Sequence, residues 1–299
     1  DTGGEVSVAS GDRRGSRGIP DEMLKEIEVM YGFDKPAHER FFKMLKDYAT
    51  FDFGDSFFRE KSVIELIVDK MPVSISLGLW STLIIYFISI PLGIRKAVSD
   101  GSRFDVWSSS AIVIGYAIPG FLFAILLIVL FAGGSYFDWF PLRGLTSSDF
   151  DQLNWYQKVG DYFWHLALPV TANVIGGFAT LTLLTKNSFL DEIGKHYVVT
   201  ARAKGLSEKV VLFKHVLRNA MIPIVTYLVV QLPFLLTGAL LLESFFSIPG
   251  LGGITIQALN ASDFPVLKAM AILSAVAYII FTLIQDILYT VVDPRVKLQ

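Results

Sequence analysis

The chain has no cysteine, few histidines and little charge. Without cysteine there are no disulfide frameworks, thiolate metal sites or cysteine nucleophiles. The four histidines, at positions 38, 165, 196 and 215, are too scattered to read as a metal cluster. Asp, Glu, Lys and Arg make up 18% of the 299 residues, where soluble domains carry about 25%. That shortage argues against a water-soluble enzyme. The 26 basic and 28 acidic residues nearly cancel, at a net charge of -2, so the basic footprint of a nucleic-acid binder is missing. No Gly-x-x-x-x-Gly-Lys-Ser/Thr phosphate loop occurs, nor any HExxH, GxSxG or GxGxxG pattern. ATP binding of the Walker type and the common hydrolase and dinucleotide chemistries are therefore not encoded here.

What remains is apolar. Hydrophobic residues make up 53% of the chain, and the mean hydropathy is +0.52. Five stretches reach the roughly 20 helical residues that a bilayer requires. They run over 73–94, 111–132, 166–185, 222–242 and 269–292. The second, AIVIGYAIPGFLFAILLIVLFA, carries no charge at all. The third is diluted by Thr171, Asn173, Thr180, Thr182 and Thr185, and its Gly176-Gly177 pair suits close helix packing inside a bundle. The expected class is an all-α polytopic membrane protein.

Positive charge sets the expected topology. Arg95, Lys96 and Arg103 lie between the first two spans, and seven basic residues from Lys186 to Arg218 lie between the third and fourth. Arg295 and Lys297 follow the fifth span, whereas the segment 243–265 holds no Lys or Arg and 133–165 only Arg143 and Lys158. The positive-inside rule puts the basic groups in the cytoplasm. Residues 1–72 then fall outside, in the periplasm, and the C-terminus falls inside. The chain starts at Asp1, without an initiator Met, and contains no signal-peptide h-region, so a sixth span upstream of this numbering is expected.

Residues 1–19 are rich in Gly, Ser and Arg and read as a disordered periplasmic segment. Residues 20–72 read as a small helical lobe, with helices around 22–30 and 36–48 and a short one opened by the box Ser62-Val63-Ile64-Glu65 and stopped by Pro72. Residues 73–299 form the transmembrane domain. Aromatic residues crowd the loop 133–165 and suit interfacial belts. Asp286 and Glu243 read as helix-end groups near the two membrane surfaces. Gln231, with Pro233 two residues on, reads equally as a kinked, pore-facing position or as a helix–helix hydrogen bond.

The loop 186–221, KNSFLDEIGKHYVVTARAKGLSEKVVLFKHVLRNAM, is the most informative stretch. Two helical pieces flank Lys204-Gly205-Leu206, where Gly205 can adopt positive φ and turn the chain, and Ser207-Glu208 starts the second piece. Small residues at Thr200, Ala201 and Ala203 leave a face open to close packing. Here the sequence resembles the coupling loop of permeases in bacterial ABC importers, in the form of the dipeptide and oligopeptide branch. The resemblance rests on Tyr197, Thr200, Ala201, Arg202, Ala203, Lys204 and Gly205, then His215 to Ala220 and Pro223. The family's Glu-Ala-Ala-x-x-x-Gly pattern falls on 199–205 with its Glu replaced by Val199. Further matches are Tyr31 to Pro36, Phe53-Gly54-Asp55-Ser56, Ser247-Ile248-Pro249-Gly250-Leu251-Gly252, Asp263-Phe264-Pro265 and Asp293-Pro294-Arg295. Within the branch the chain is most similar to the Yej group, associated with microcin C and peptide uptake in Gram-negative bacteria.

That resemblance implies a type I ABC importer permease fold with six spans, located in the inner membrane. It implies no cofactor in this chain, with ATP and Mg on a separate cytoplasmic ATPase that receives the helix around 200–205. It also implies a second homologous permease and a periplasmic substrate-binding protein, with Ser247, Pro249, Gly250 and Gly252 on a partly re-entrant loop able to reach the latter. Gln231 and Pro233 would border the translocation path. Two other classes stand beside this reading: a secondary transporter or channel working alone, and a non-transporting membrane scaffold. The former calls for paired, charged or unwound midplane sites, and no such pairing is visible in the sequence.

Overall fold

A computed structural model describes residues 35–134 and 136–292. Their regular structure is helical, apart from one isolated antiparallel bridge between Asp55 and Ser62. The chain divides into two compact units, with the boundary between Asp52 and Phe53. The first contains α1, Ala37–Ala49, which follows Pro36 as the sequence suggests and buries none of its residues. The helix expected over 22–30 and the segment 1–19 lie outside the described residues.

The second unit holds the long helices. α2 (Val63–Val98) starts at Ser62, whose side chain accepts from the Glu65 amide. The sequence reading stopped this helix at Pro72, but α2 runs unbroken through both Pro72 and Pro91. The correction has a tertiary cause. Val63, Leu66 and Ile67 before the proline are buried against Leu251, Ile254 and Ala269, and Leu77 beyond it is buried in a second cluster. Losing one amide donor costs less than unpacking either side, and membrane helices tolerate proline where neighbouring groups re-satisfy the freed backbone.

α3 (Arg103–Ala117) and α4 (Gly120–Phe131) divide the charge-free stretch that reads as one straight span. They bend by 89° at Ile118-Pro119. Pro119 offers no amide and forces Ile118 out of the helical region, here to φ -83 and ψ 118. α5 (Trp155–Ile193) opens with a reciprocal Asn154–Gln157 capping box and spans 39 residues, about 58 Å at 1.5 Å per residue. α6 (His196–Ala203) and α7 (Glu208–Val210) follow, then a π-helical segment Val211–Val216 that continues into α8 (Leu217–Gln231). α9 (Pro233–Thr237), α10 (Leu240–Phe245), α11 (Leu251–Ala261) and α12 (Phe264–Val292) complete the described chain.

Among the described residues, four helices are long and apolar enough to cross a membrane, or five spans if the bent α3–α4 pair counts as one. That matches the five apolar stretches. α2 and α5 form the central pair, packed closely where Gly93 abuts Thr182 and Thr185, and where Gly177 faces Ile85. A Cβ on either glycine would come within 2.6 Å of the facing side chain, so the Gly177 half of the Gly176-Gly177 pair serves the close packing the sequence suggests.

Candidate coupling surface and translocation cavity

The loop after α5 is built as a rigid projection. Val198 and Ala201 of α6 are buried in a cluster with Ile94, Ala97, Phe189, Val211 and Val216, so α6 is fixed to the ends of α2 and α5 and to the π segment. The opposite face is open. His196, Val199, Thr200 and Ala203 are exposed in the i, i+3, i+4 spacing of one helix side, and Lys204 and Leu206 of the following turn are exposed as well. Thr200 donates to the His196 carbonyl at 2.9 Å, which leaves a compact outer surface.

Each end of α6 is pinned. The Tyr197 hydroxyl donates to Glu192 Oε2 at 2.6 Å, and Lys195 pairs with the other oxygen of the same carboxylate. Partial burial, then the Glu192 acceptor, push the Tyr197 hydroxyl up to about 12, so it holds its proton throughout the physiological range. At the other end the chain turns at Gly205, with φ +77. Arg202 bridges that turn in bidentate fashion, giving Nη2 to Glu208 Oε1 at 2.6 Å and Nε to Oε2 at 3.1 Å. The hydrogen bond to Glu208 raises the Arg202 guanidinium above its ordinary value. His215 is half-buried within the π segment; such segments inside α-helices often mark functional positions.

A buried charge network lies alongside, and nothing local in the sequence discloses it. Lys96 is fully buried. Its Nζ reaches Asp105 Oδ1 at 3.0 Å, the Asp105 carbonyl at 2.9 Å, and the hydroxyls of Ser108 and Ser109 at 2.7 Å. Lys186 Nζ holds Asp105 Oδ2 and Asp100 Oδ1, both at 2.7 Å. The connection between α2 and α3 is thereby tied to the part of α5 that leads into α6. As topology signals these lysines look like ordinary surface charge. Their pairing spans up to 81 residues of sequence.

A cavity of about 820 Å³ opens among α2, α4, α5 and α8 to α12. Its lining is uncharged and mixes aliphatic side chains with Ser74, Thr82, Asn173, Gln231, Thr237 and Ser274. Gln231 lines the cavity and donates to the Tyr227 hydroxyl at 2.8 Å, one turn earlier on the same helix, so this hydrogen bond lies within α8 and not between helices. Pro233 is not part of the lining and instead begins α9 after the break at Leu232.

Glu243 corrects the sequence reading most. It was expected at a helix end near the surface, yet it is completely buried. Its carboxylate accepts from Ser74 Oγ at 2.7 Å, from the Ala239 amide at 3.0 Å and from the Gly253 amide at 3.1 Å. Ser74 Oγ in turn accepts from the Leu251 amide at 2.7 Å. The carboxylate thus caps the first turn of α11, where the helix dipole favours negative charge, and ties α10 and α11 to α2. Gly238 (φ +78) and Gly250 make room for it, since a Cβ on either would come within 2.7 Å of a Glu243 oxygen. Of the four residues on this loop, Ser247 and Pro249 are exposed, while Gly250 and Gly252 are buried. Asp286 is exposed on α12.

The structure also joins two motifs far apart in sequence. Ser56 donates to the buried Asp263, which accepts from the Phe57 amide as well, and Arg59 donates to Gln257. The segment around Phe53-Gly54-Asp55-Ser56 is thereby held on the α11–α12 turn.

Taken together, a helical bundle of spans, an uncharged cavity and a rigid projecting helix define a transport subunit of the type I ABC importer permease fold. Residues 89–298 match the family described as binding-protein-dependent transport system inner membrane component, and the chain belongs to that family. It is 59% identical over 297 residues to the inner membrane ABC transporter permease protein YejB of Escherichia coli O157:H7, covering 99% of this chain and 82% of that protein. It is 56% identical to the peptidoglycan transport system permease protein YejB of Agrobacterium fabrum, covering 96% and 79%. The oligopeptide transport system permease protein AppB of Bacillus subtilis is 37% identical, covering 89% and 83%. Among solved structures, the inward-facing MetNI methionine ABC transporter shares the fold, with a TM-score of 0.57 at 16% identity, over 77% of this chain and 97% of that one. The chain is accordingly a permease subunit of an ABC transporter in the inner membrane.

Proposed function

We propose that this permease imports peptides or peptide-like compounds, together with a second homologous permease, a cytoplasmic ATPase carrying ATP and Mg, and a periplasmic binding protein. The observation that carries the reading is α6. Its buried side, Val198 and Ala201, is locked to the ends of α2 and α5, while its outer side, with Thr200, Ala203 and Lys204, is exposed and able to seat in another protein. A push on that side moves the bundle as a rigid body between two states of access. Tyr197, Arg202, Ala203, Lys204 and His215 shape or flank the same surface. The names of the relatives, oligopeptide and peptidoglycan transport among them, favour cargo with peptide groups, and the uncharged cavity suits cargo of varied charge.

In this reading residues 1–72 face the periplasm, with 1–19 as a connecting segment and 20–72 as a lobe, and 73–299 form the membrane domain with its C-terminus in the cytoplasm. The exposed Ser247 and Pro249 meet the binding protein, and the buried Gly250 and Gly252 shape the loop that presents them. A reporter joined at Ser147 should therefore report an external position and one at Lys209 an internal one. Labelling of Lys209 by an impermeant reagent in intact spheroplasts would reverse the orientation.

The energy source gives the decisive test. In liposomes the purified chain should neither hydrolyse ATP nor move peptide. Adding the second permease, the ATPase and the binding protein should establish both activities, and deleting 197–214 should release the ATPase. Peptide uptake by the chain alone, driven by an ion gradient, would replace this reading with that of a secondary transporter.

A further inference from the structure

The cavity has many polar residues, and most of them make a hydrogen bond within the protein. The hydroxyls of Ser81, Thr255 and Ser274 donate back to the carbonyls of Leu77, Leu251 and Met270, four residues earlier. Ser74 is held by Glu243 and the Leu251 amide, and Gln231 gives its amide to Tyr227. Among the described residues Thr82, Thr237 and Asn173 make no such bond, and of these three Asn173 alone carries a carboxamide. It lines the cavity, close to the middle of the 39-residue α5, and its side chain makes no hydrogen bond among the described residues. A carboxamide carries two donor hydrogens and a carbonyl acceptor. Leaving these unmet at the depth of a membrane is costly. Polar side chains at such depth characteristically face a substrate path or another polar partner.

We propose that Asn173 is a specificity-determining residue of the translocation path, which reads the peptide group of the cargo by two hydrogen bonds. This rests on the peptide reading above. The side chain offers the same donor and acceptor pair as a peptide unit, so Nδ2 donates to a cargo carbonyl while Oδ1 accepts from a cargo N–H. A peptide group repeats along any sequence and carries no net charge. A reader of this kind therefore selects the class of compound without selecting its side chains, which agrees with the uncharged lining.

The test uses the complete complex in liposomes with one binding protein throughout. Two probes are compared: trialanine, and the same compound with its central amide replaced by an ester. The ester lacks the N–H and has a weaker carbonyl acceptor. The wild-type complex should move the amide faster than the ester. In Asn173→Leu, amide transport should fall by about tenfold, the worth of roughly one hydrogen bond, and the amide-to-ester ratio should approach one. Asn173→Gln, which keeps the carboxamide, should retain part of the discrimination. A purely structural defect would slow both probes alike. An unchanged amide-to-ester ratio in Asn173→Leu would overturn the assignment. So would loss of the second permease from the purified Asn173→Leu complex, because Asn173 would then be a subunit contact. Failure of the wild-type complex to move trialanine would instead refute the peptide reading, and this inference with it.

Discussion

Replacing Glu243 with alanine is expected to leave little assembled permease, because the change orphans three donors at once. Ser74 Oγ, the Ala239 amide and the Gly253 amide all end on this one carboxylate in a site closed to solvent. An unsatisfied buried donor costs roughly 1–3 kcal/mol, so the set amounts to about 5 kcal/mol before any cavity cost is added. That is comparable with the whole stability of many domains, about 5–15 kcal/mol. Glu243→Gln should be milder. Its carbonyl can still accept on one side, but its NH2 then faces a backbone amide on the other, leaving one mismatch. Ser74→Ala should be milder again, removing one donor to the carboxylate and one acceptor for the Leu251 amide. Melting of the purified complex in detergent, with the amount recovered, should rank the three in that order. A Glu243→Ala complex that melts with the wild type would show that the carboxylate does not hold α10 and α11 to α2.

The same residue shows which features the sequence discloses. The α6–α7 turn was legible because its signals are local. Gly205, the start at Ser207-Glu208 and the small residues of α6 lie within a dozen positions, and the turn forms with Gly205 at φ +77 and α7 opening at Glu208. The apolar spans were legible for the same reason. Glu243 was not, because its first partner, Ser74, lies 169 residues away. Its other partners are backbone amides, which any residue type supplies. Lys96 and Lys186 were read by charge alone, and their burial depends on Asp105 arriving from the next helix. Pro72 gave a true local signal that distant packing overrode. Pro119 gave one that uniform hydropathy obscured, and the span it interrupts bends by 89°. Asn173 read as dilution of an apolar run, because its significance rests on having no internal partner, and a sequence does not record partners.

Gly205→Val is expected to abolish most transport while leaving the protein folded and membrane-inserted. Open space surrounds the position, and a Cβ there would meet no atom within 4 Å. The effect is therefore backbone strain and not a clash. At φ +77 a β-branched residue is strongly disfavoured, by about 1–3 kcal/mol. The strain is relieved if φ turns negative and α6 runs on toward α7. That movement would separate Arg202 from Glu208 and re-aim Thr200, Ala203 and Lys204, although Val198 and Ala201 keep their buried places. Since the turn is exposed and lies outside the spans, insertion and overall stability should change little. Transport by the complete complex should fall at least tenfold, as should peptide-stimulated ATP hydrolysis, because 1.4 kcal/mol against the docked geometry is already a factor of ten. Asparagine tolerates positive φ better than other non-glycine residues, so Gly205→Asn should keep much of the activity and Gly205→Ala should fall between. Graded loss in the order Val, Ala, Asn at matched protein levels would tie coupling to the backbone angle of this one residue. Wild-type transport by the valine variant would remove the α6–α7 turn from the coupling path.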